Sequence, residues 1–166
     1  MPPIAAKIAL CLWCDTNAEE LANFYVDTFR ACGRDAAIKT MMRYNADGPL
    51  KTGKVLTTTF TLDGQEIVAL NGGPHFSFSP AASLFVTCDD QAEVDLFWEK
   101  LLAGGGKESQ CGWLTDKFGF SWQIVPKIMG DLLGDKADPK RAGQAMQAMM
   151  KMIKLDIAAL KAAYDA

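Results

Sequence analysis

The chain has 166 residues, 49% hydrophobic and 22% charged, with a formal net charge of −3. That composition is globular, and it excludes a disordered or collagen-like chain. Seventeen basic residues against twenty acidic ones give no general attraction for a nucleic-acid backbone, and no apolar run reaches the ~20 residues of a membrane-spanning helix.

Residues Met1 to Leu10 carry one Lys and lack the apolar core and cleavage site of a signal peptide, so a cytoplasmic protein is expected. Ile8 to Cys14 is a continuous apolar run and reads as a strand covered on both faces. Cys11 and Cys14 form a C-x-x-C within it. Residues three apart on a strand point to opposite faces, so the pair reads as structural rather than metal-binding. The five cysteines, an odd number, do not suggest a disulfide framework.

Asn17 or Thr16 can cap a helix with Glu19 and Glu20 in its first turn. Leu21, Phe24, Tyr25, Thr28 and Phe29 carry that helix to about Ala31, and Gly33 ends it. Ala37 to Tyr44 reads as a strand, and Asn45 to Pro49 as a loop. Lys54 to Leu62 and Gln65 to Leu70 form a hairpin about Asp63-Gly64.

The order then repeats. Ala81 to Cys88 is a strand. Asp89 or Asp90 caps a helix striped by Val94, Phe97, Trp98 and Leu101, which Gly104-Gly105-Gly106 breaks. A short strand near Lys107 to Gln110, another from Cys111 to Thr115, a turn at Asp116 to Gly119 and a last strand from Phe120 to Val125 complete the second half. The period of about 70 residues is too long for a solenoid and fits a duplicated βαβββ module. In the tail, Asp138-Pro139 starts a helix. Met146, Met149, Ile153, Ile157, Leu160 and Tyr164 predict one amphipathic helix of about six or seven turns, packed on its own domain or on a second subunit.

Several segments resemble the PhnB-like family. They are Leu12-Trp13-Cys14-Asp15, Leu62-Asp63-Gly64-Gln65, Ala69 to Pro74, Cys88 to Asp95 and Cys111 to Pro126. The family belongs to the glyoxalase / bleomycin-resistance / dioxygenase, or vicinal oxygen chelate, superfamily. The resemblance implies an α+β fold of paired βαβββ modules. Residues 1–127 would form this domain, from modules of about 5–74 and 80–127, with residues 128–166 as a helical extension. It also implies a homodimer binding a small organic ligand in a β-cup. Many family members carry the label demethylubiquinone methyltransferase. Gly104-Gly105-Gly106 follows a helix, however, and not the strand-to-helix turn that holds a nucleotide-like donor.

Catalytic superfamily members chelate a divalent metal to polarise vicinal oxygens. Carried over, their ligand positions fall on Ile8, on Ala82 or Ser83, near Val68 to Asn71, and on Gln123. That set predicts a degenerate metal site, with no cofactor and at most a weakly held divalent ion. The expected ligand pocket is Asn71, His75, Phe76, Trp113, Ser121 and Gln123. Ser121 and Gln123 should line the cup, while Trp122, Ile124 and Trp13 should pack away from it. The competing readings are a metal-dependent lyase or dioxygenase, and a methyltransferase.

Overall fold

A computed structural model describes residues 7–45 and 53–166. Most of the loop expected at Asn45 to Pro49 lies outside these residues. The chain divides into two units between Phe78 and Ser79, and each repeats the same plan.

In the first unit β1 (Leu10–Cys14), α1 (Ala18–Ala31), β2 (Ala36–Arg43), β3 (Val55–Leu62) and β4 (Gln65–Asn71) follow in order. The sheet runs β1-β4-β3-β2, with β1 parallel to β4 and the other pairs antiparallel. The β3–β4 hairpin turns at Asp63 and Gly64, whose φ values are 49° and 84°, as a tight primed turn requires. Strand β1 starts later than expected, and Ile8 lies outside it, 85% exposed.

Helix α1 covers one face of this sheet. Leu21, Tyr25 and Val26 are buried there with Leu12, Phe60, Ile67 and Ala69, and the Tyr25 and Phe60 rings meet edge-on at 6.2 Å. Alternation then sends Cys11, Trp13, Thr57, Thr59, Val68 and Leu70 to the other, open face. The two thiols of the C-x-x-C thus point to opposite faces, Cys14 buried and Cys11 exposed.

The second unit has β5 (Ser83–Cys88), α2 (Gln91–Leu102), β6 (Lys107–Glu108), β7 (Trp113–Thr115) and β8 (Ser121–Pro126). Its sheet order, β5-β8-β7-β6, again has one parallel pair, β5 with β8. Asp90 caps α2 by accepting from the Glu93 amide, and the Glu93 carboxylate accepts from the amide of Asp89, one residue before the cap, so bonds akin to a capping box lock the helix start. Val94, Phe97, Trp98 and Leu101 are buried with Leu114, Trp122 and Ile124.

The tail departs from expectation. A short helix α3 (Met129–Leu133) precedes α4 (Pro139–Met149) and α5 (Ile157–Asp165), where one long helix was expected. The segment between α4 and α5 is held by distant partners. The Cys111 and Gly112 amides donate to the Met152 and Ile153 carbonyls at 2.8 Å. The Gln91 side chain donates to the Leu155 carbonyl and accepts from the Ile157 amide, and Asp156 caps α5 through the Ala159 amide. Continuous helix would forfeit these bonds. Met129, Leu132, Ala145, Leu155 and Leu160 form the core of the extension, and Val125 packs against it.

Candidate functional site: the open sheet faces

The open face of the second sheet is built from three strands. Register places Phe85, Gln123 and Trp113 in one row, and Ser83, Ser121 and Thr115 in the next. Gln123 is half-buried, and its amide nitrogen donates to Ser83 Oγ at 2.9 Å, which fixes the carboxamide on this face. Ser121 is buried. Phe85 is 57% exposed on a strand interior, an unusual setting for a large apolar ring. Val125 continues the face and meets the extension, which therefore closes one end of it.

Three of the expected pocket residues, Trp113, Ser121 and Gln123, share this face. Trp122 and Ile124 are fully buried on the helix side, as the alternation on β8 required. The Trp122 indole donates to Asp116, whose other oxygen accepts from the Phe118 and Phe120 amides. Phe85 was missed because a Leu-Phe-Val run reads as ordinary strand.

The other expected pocket residues are placed differently. Asn71 is buried and faces α1. Its side-chain oxygen accepts from the Ala18 amide at 2.8 Å and its nitrogen donates to the Val55 carbonyl at 2.9 Å. Its own carbonyl accepts from Tyr44 Oη. Asn71 thus caps α1 from the end of a distant strand, and the local candidate, Asn17, makes no side-chain cap. His75 sits in an exposed loop after β4. Phe76 is 69% exposed and meets Trp13 edge-on at 5.0 Å.

Trp13 requires a correction. Leu12 and Cys14 are the β1 residues buried toward α1, so Trp13 lies on the open face and not in the helix-packed core. Its indole donates to the Gly73 carbonyl at 2.9 Å. The ring fills the place where a Gly72 side chain would be, with its Cζ2 on that Cβ position, so Gly72 is required for the ring to seat.

The first sheet also carries a polar array that sequence reasoning did not single out. Thr57 and Thr59 alternate onto its open face, and Glu66 stands on the same face of β4. A register shift at Lys39 brings Thr40 opposite Thr59. Thr57, Thr59 and Glu66 are buried. The Thr-Thr-Thr run of β3 was the available signal. It reads first as strand propensity.

The residues onto which the resemblance carries the superfamily's metal ligands offer no set that suits a tightly held ion. Ile8 has no ligating atom, the Asn71 amide is committed to α1 and β3, and Gln123 is bonded to Ser83. Among the described residues no group of three or more His, Cys, Asp or Glu could hold a metal. Although Cys11 reaches the surface, its strand neighbours partly desolvate the thiol and push it above its ordinary value, which favours the protonated, less nucleophilic form.

Residues 6–125 match the model of the family described as 3-demethylubiquinone-9 3-methyltransferase. The chain belongs to that family. It is 36% identical to a solved Bacillus cereus protein described as a putative 3-demethylubiquinone-9 3-methyltransferase, PhnB protein. That match covers 73% of this chain and 99% of that one, with a TM-score of 0.65. Protein PA1353 from Pseudomonas aeruginosa is 17% identical over 74% of this chain and 98% of its own, with a TM-score of 0.58. The fosfomycin resistance protein FosX from Listeria monocytogenes, solved with Mn(II) and sulfate, is 13% identical. It covers 76% of this chain and 94% of its own at a TM-score of 0.50, and shows the shared fold alone. No curated protein matches the chain. The fold is that of the vicinal oxygen chelate superfamily, and α4 and α5 lie beyond the residues matched to the family.

Proposed function

We propose that this protein binds a small organic ligand on the open faces of its sheets, without a tightly held metal. The observation that carries the reading is the row Phe85–Gln123–Trp113. It sets a half-buried carboxamide between two aromatic side chains, the usual make-up of a small-molecule site. The carboxamide supplies directional hydrogen bonding, and the rings supply apolar contact. The same reading makes the protein a cytoplasmic homodimer, in keeping with its resemblance to dimeric superfamily members. Among the described residues no helix is long and apolar enough to cross a membrane.

The family description carries a second reading, methyl transfer. The glycine run that could suggest a donor site, Gly104 to Gly106, stands at the end of α2. A typical Rossmann-type methyltransferase holds its nucleotide-like donor on such a run between a strand and the start of a helix.

Native mass spectrometry of the purified protein tests the proposal. The expected result is a dimer retaining a small molecule that Gln123→Leu loses while staying folded. A metal ion retained in stoichiometric amount, or a bound molecule indifferent to Gln123→Leu, would overturn it. Methylated product formed with a methyl donor would favour the second reading.

A further inference from the structure

A cleft of about 440 Å³ opens where the extension meets the rest of the second unit. That is within the roughly 300–1,000 Å³ typical of small-molecule pockets. One wall is the start of α2, from Asp89 to Gln91, and the other is the start of α5, from Asp156 to Ala158 and on to Lys161. Ile128 lines it just after the chain leaves β8. A single side chain ties the two walls together. Gln91 donates to the Leu155 carbonyl and accepts from the Ile157 amide. The cleft therefore exists only while the extension is docked, and most of its lining lies beyond the residues matched to the family.

The charges of the lining set what it can hold. Helix starts attract anions, and here the chain's own carboxylates have taken that place. Asp90 Oδ1 accepts from the Glu93 amide, and Asp156 Oδ1 accepts from the Ala159 amide. Each cap bond leaves Oδ2 uncommitted among the described residues. Asp89 adds a third carboxylate, 3.7 Å from Lys127 Nζ. All three are exposed side chains, and such carboxyls are charged near neutral pH. Lys161 is the one cation of the lining among the described residues. With Lys127 counted, negative charge is still in excess, and Glu93 adds to it beside Asp89. An entering acid meets like charge, and an entering cation meets opposite charge. A metal ion is not the match, since among the described residues no group of three or more His, Cys, Asp or Glu could hold one. Half-buried Ile128 and Ile157 give the cleft apolar wall as well, which an alkyl chain covers and a bare ion does not.

We infer that this cleft is a second binding site, for a primary alkylammonium, with the ammonium on the carboxylates of Asp90 and Asp156 and the alkyl chain against Ile128 and Ile157. It uses none of the residues of the open sheet faces, so it stands or falls separately from the ligand proposed there. Because the site spans the starts of α2 and α5, a bound amine also holds the extension in its docked place.

Hexylamine and hexanoate are matched probes, equal in chain length and opposite in charge. Backbone amide and Gln91 side-chain NMR signals of the full chain report where each binds. Hexylamine should shift Gln91, Ile157 and Ala158 saturably and slow amide exchange across α5, and hexanoate should do neither. Propylamine should bind roughly tenfold more weakly, because its short chain leaves the isoleucines uncovered. Asp90→Asn and Asp156→Asn keep the caps, since Asn caps as well as Asp. Each should weaken hexylamine roughly two- to fivefold, with Tm within about 2 °C of the parent. Lys161→Gln should tighten it roughly twofold. A lysine side chain carries the same ammonium, so Nα-acetyl-lysine amide is the second amine probe. Tighter binding than hexylamine supports the site with a partner protein's lysine as the source, and weaker binding supports it with a free amine. The inference is overturned if hexanoate binds as well as hexylamine, if propylamine matches hexylamine, if both Asp→Asn variants keep the parent affinity, or if the shifts fall outside the cleft. Added salt should weaken hexylamine on the unsubstituted chain, so an affinity indifferent to salt overturns it even where a variant does not fold.

Discussion

Asn71, the last residue of β4, is bonded to three segments distant in sequence. It caps α1, ties β4 to Val55 and receives Tyr44 Oη. Its replacement by Ala strands the Ala18 amide and the Val55 carbonyl in a buried place. Asn71→Ala should therefore cost about 2–4 kcal/mol, from a lost cap and a lost buried bond, measured by urea unfolding. The β8 pair provides a sharper contrast. Trp122 is fully buried against α2, and Gln123 faces the open side. Trp122→Ala should cost about 3–5 kcal/mol, as large core truncations do. Gln123→Leu should leave the melting temperature unchanged or slightly higher. If the two effects are reversed in thermal melts, the face assignment of β8 is reversed with them.

At the scale of elements, the link between the second sheet and the tail is the point of greatest leverage. Gly112 has φ +81°, and a side chain there would meet the Ile124 carbonyl at 2.8 Å and Leu155 at 3.1 Å. Gly112→Ala should thus destabilise by about 1–3 kcal/mol. Amide exchange should rise first in the 150–156 segment, whose carbonyls the Cys111 and Gly112 amides bond. A second tie is the Lys154–Asp95 ion pair at 2.6 Å. Hydrogen bonds from Lys154, then from Gln91, hold the Asp95 carboxyl below its usual value. A lowered carboxyl pKa stabilises the fold above the unfolded value, about 3.9, and the contribution disappears as pH falls through the native value. Protection of α5 should therefore be pH-independent near neutrality and fall below about pH 4. Asp95→Asn should remove that step. The effect is small, because both side chains are well exposed and solvent screens them.

For the whole molecule, the extension is part of the second unit's packing rather than an appended tail. Leu155, Leu160 and Ala145 bury Met129 and Leu132, while Met150 and Ile153 remain exposed. Deleting Pro139 to Ala166 should lower the melting temperature and the solubility, and weaken the proposed dimer. Analytical ultracentrifugation beside a thermal melt checks this. A soluble truncated dimer with an unchanged melting temperature would contradict it.

Local pattern sufficed for the two βαβββ modules, the Asp63-Gly64 hairpin, a cap at Asp89 or Asp90, the Asp138 cap and the family. Each of these depends on neighbours a few residues apart: alternation, helical spacing, turn chemistry and short motifs. The inward face of β8 was legible for the same reason, since an uninterrupted strand alternates strictly. Long-range packing set which face of β1 carries Trp13, because either face of a two-sided apolar strand can receive α1. It also decided that Thr40 joins Thr57 and Thr59, because a bulge at Lys39 shifts the register against β3. It recruited Asn71 to cap a helix 53 residues away. It broke the tail into α4 and α5, where no Gly or Pro marks a stop. In each case the deciding partner is distant in sequence, so local pattern holds no record of it.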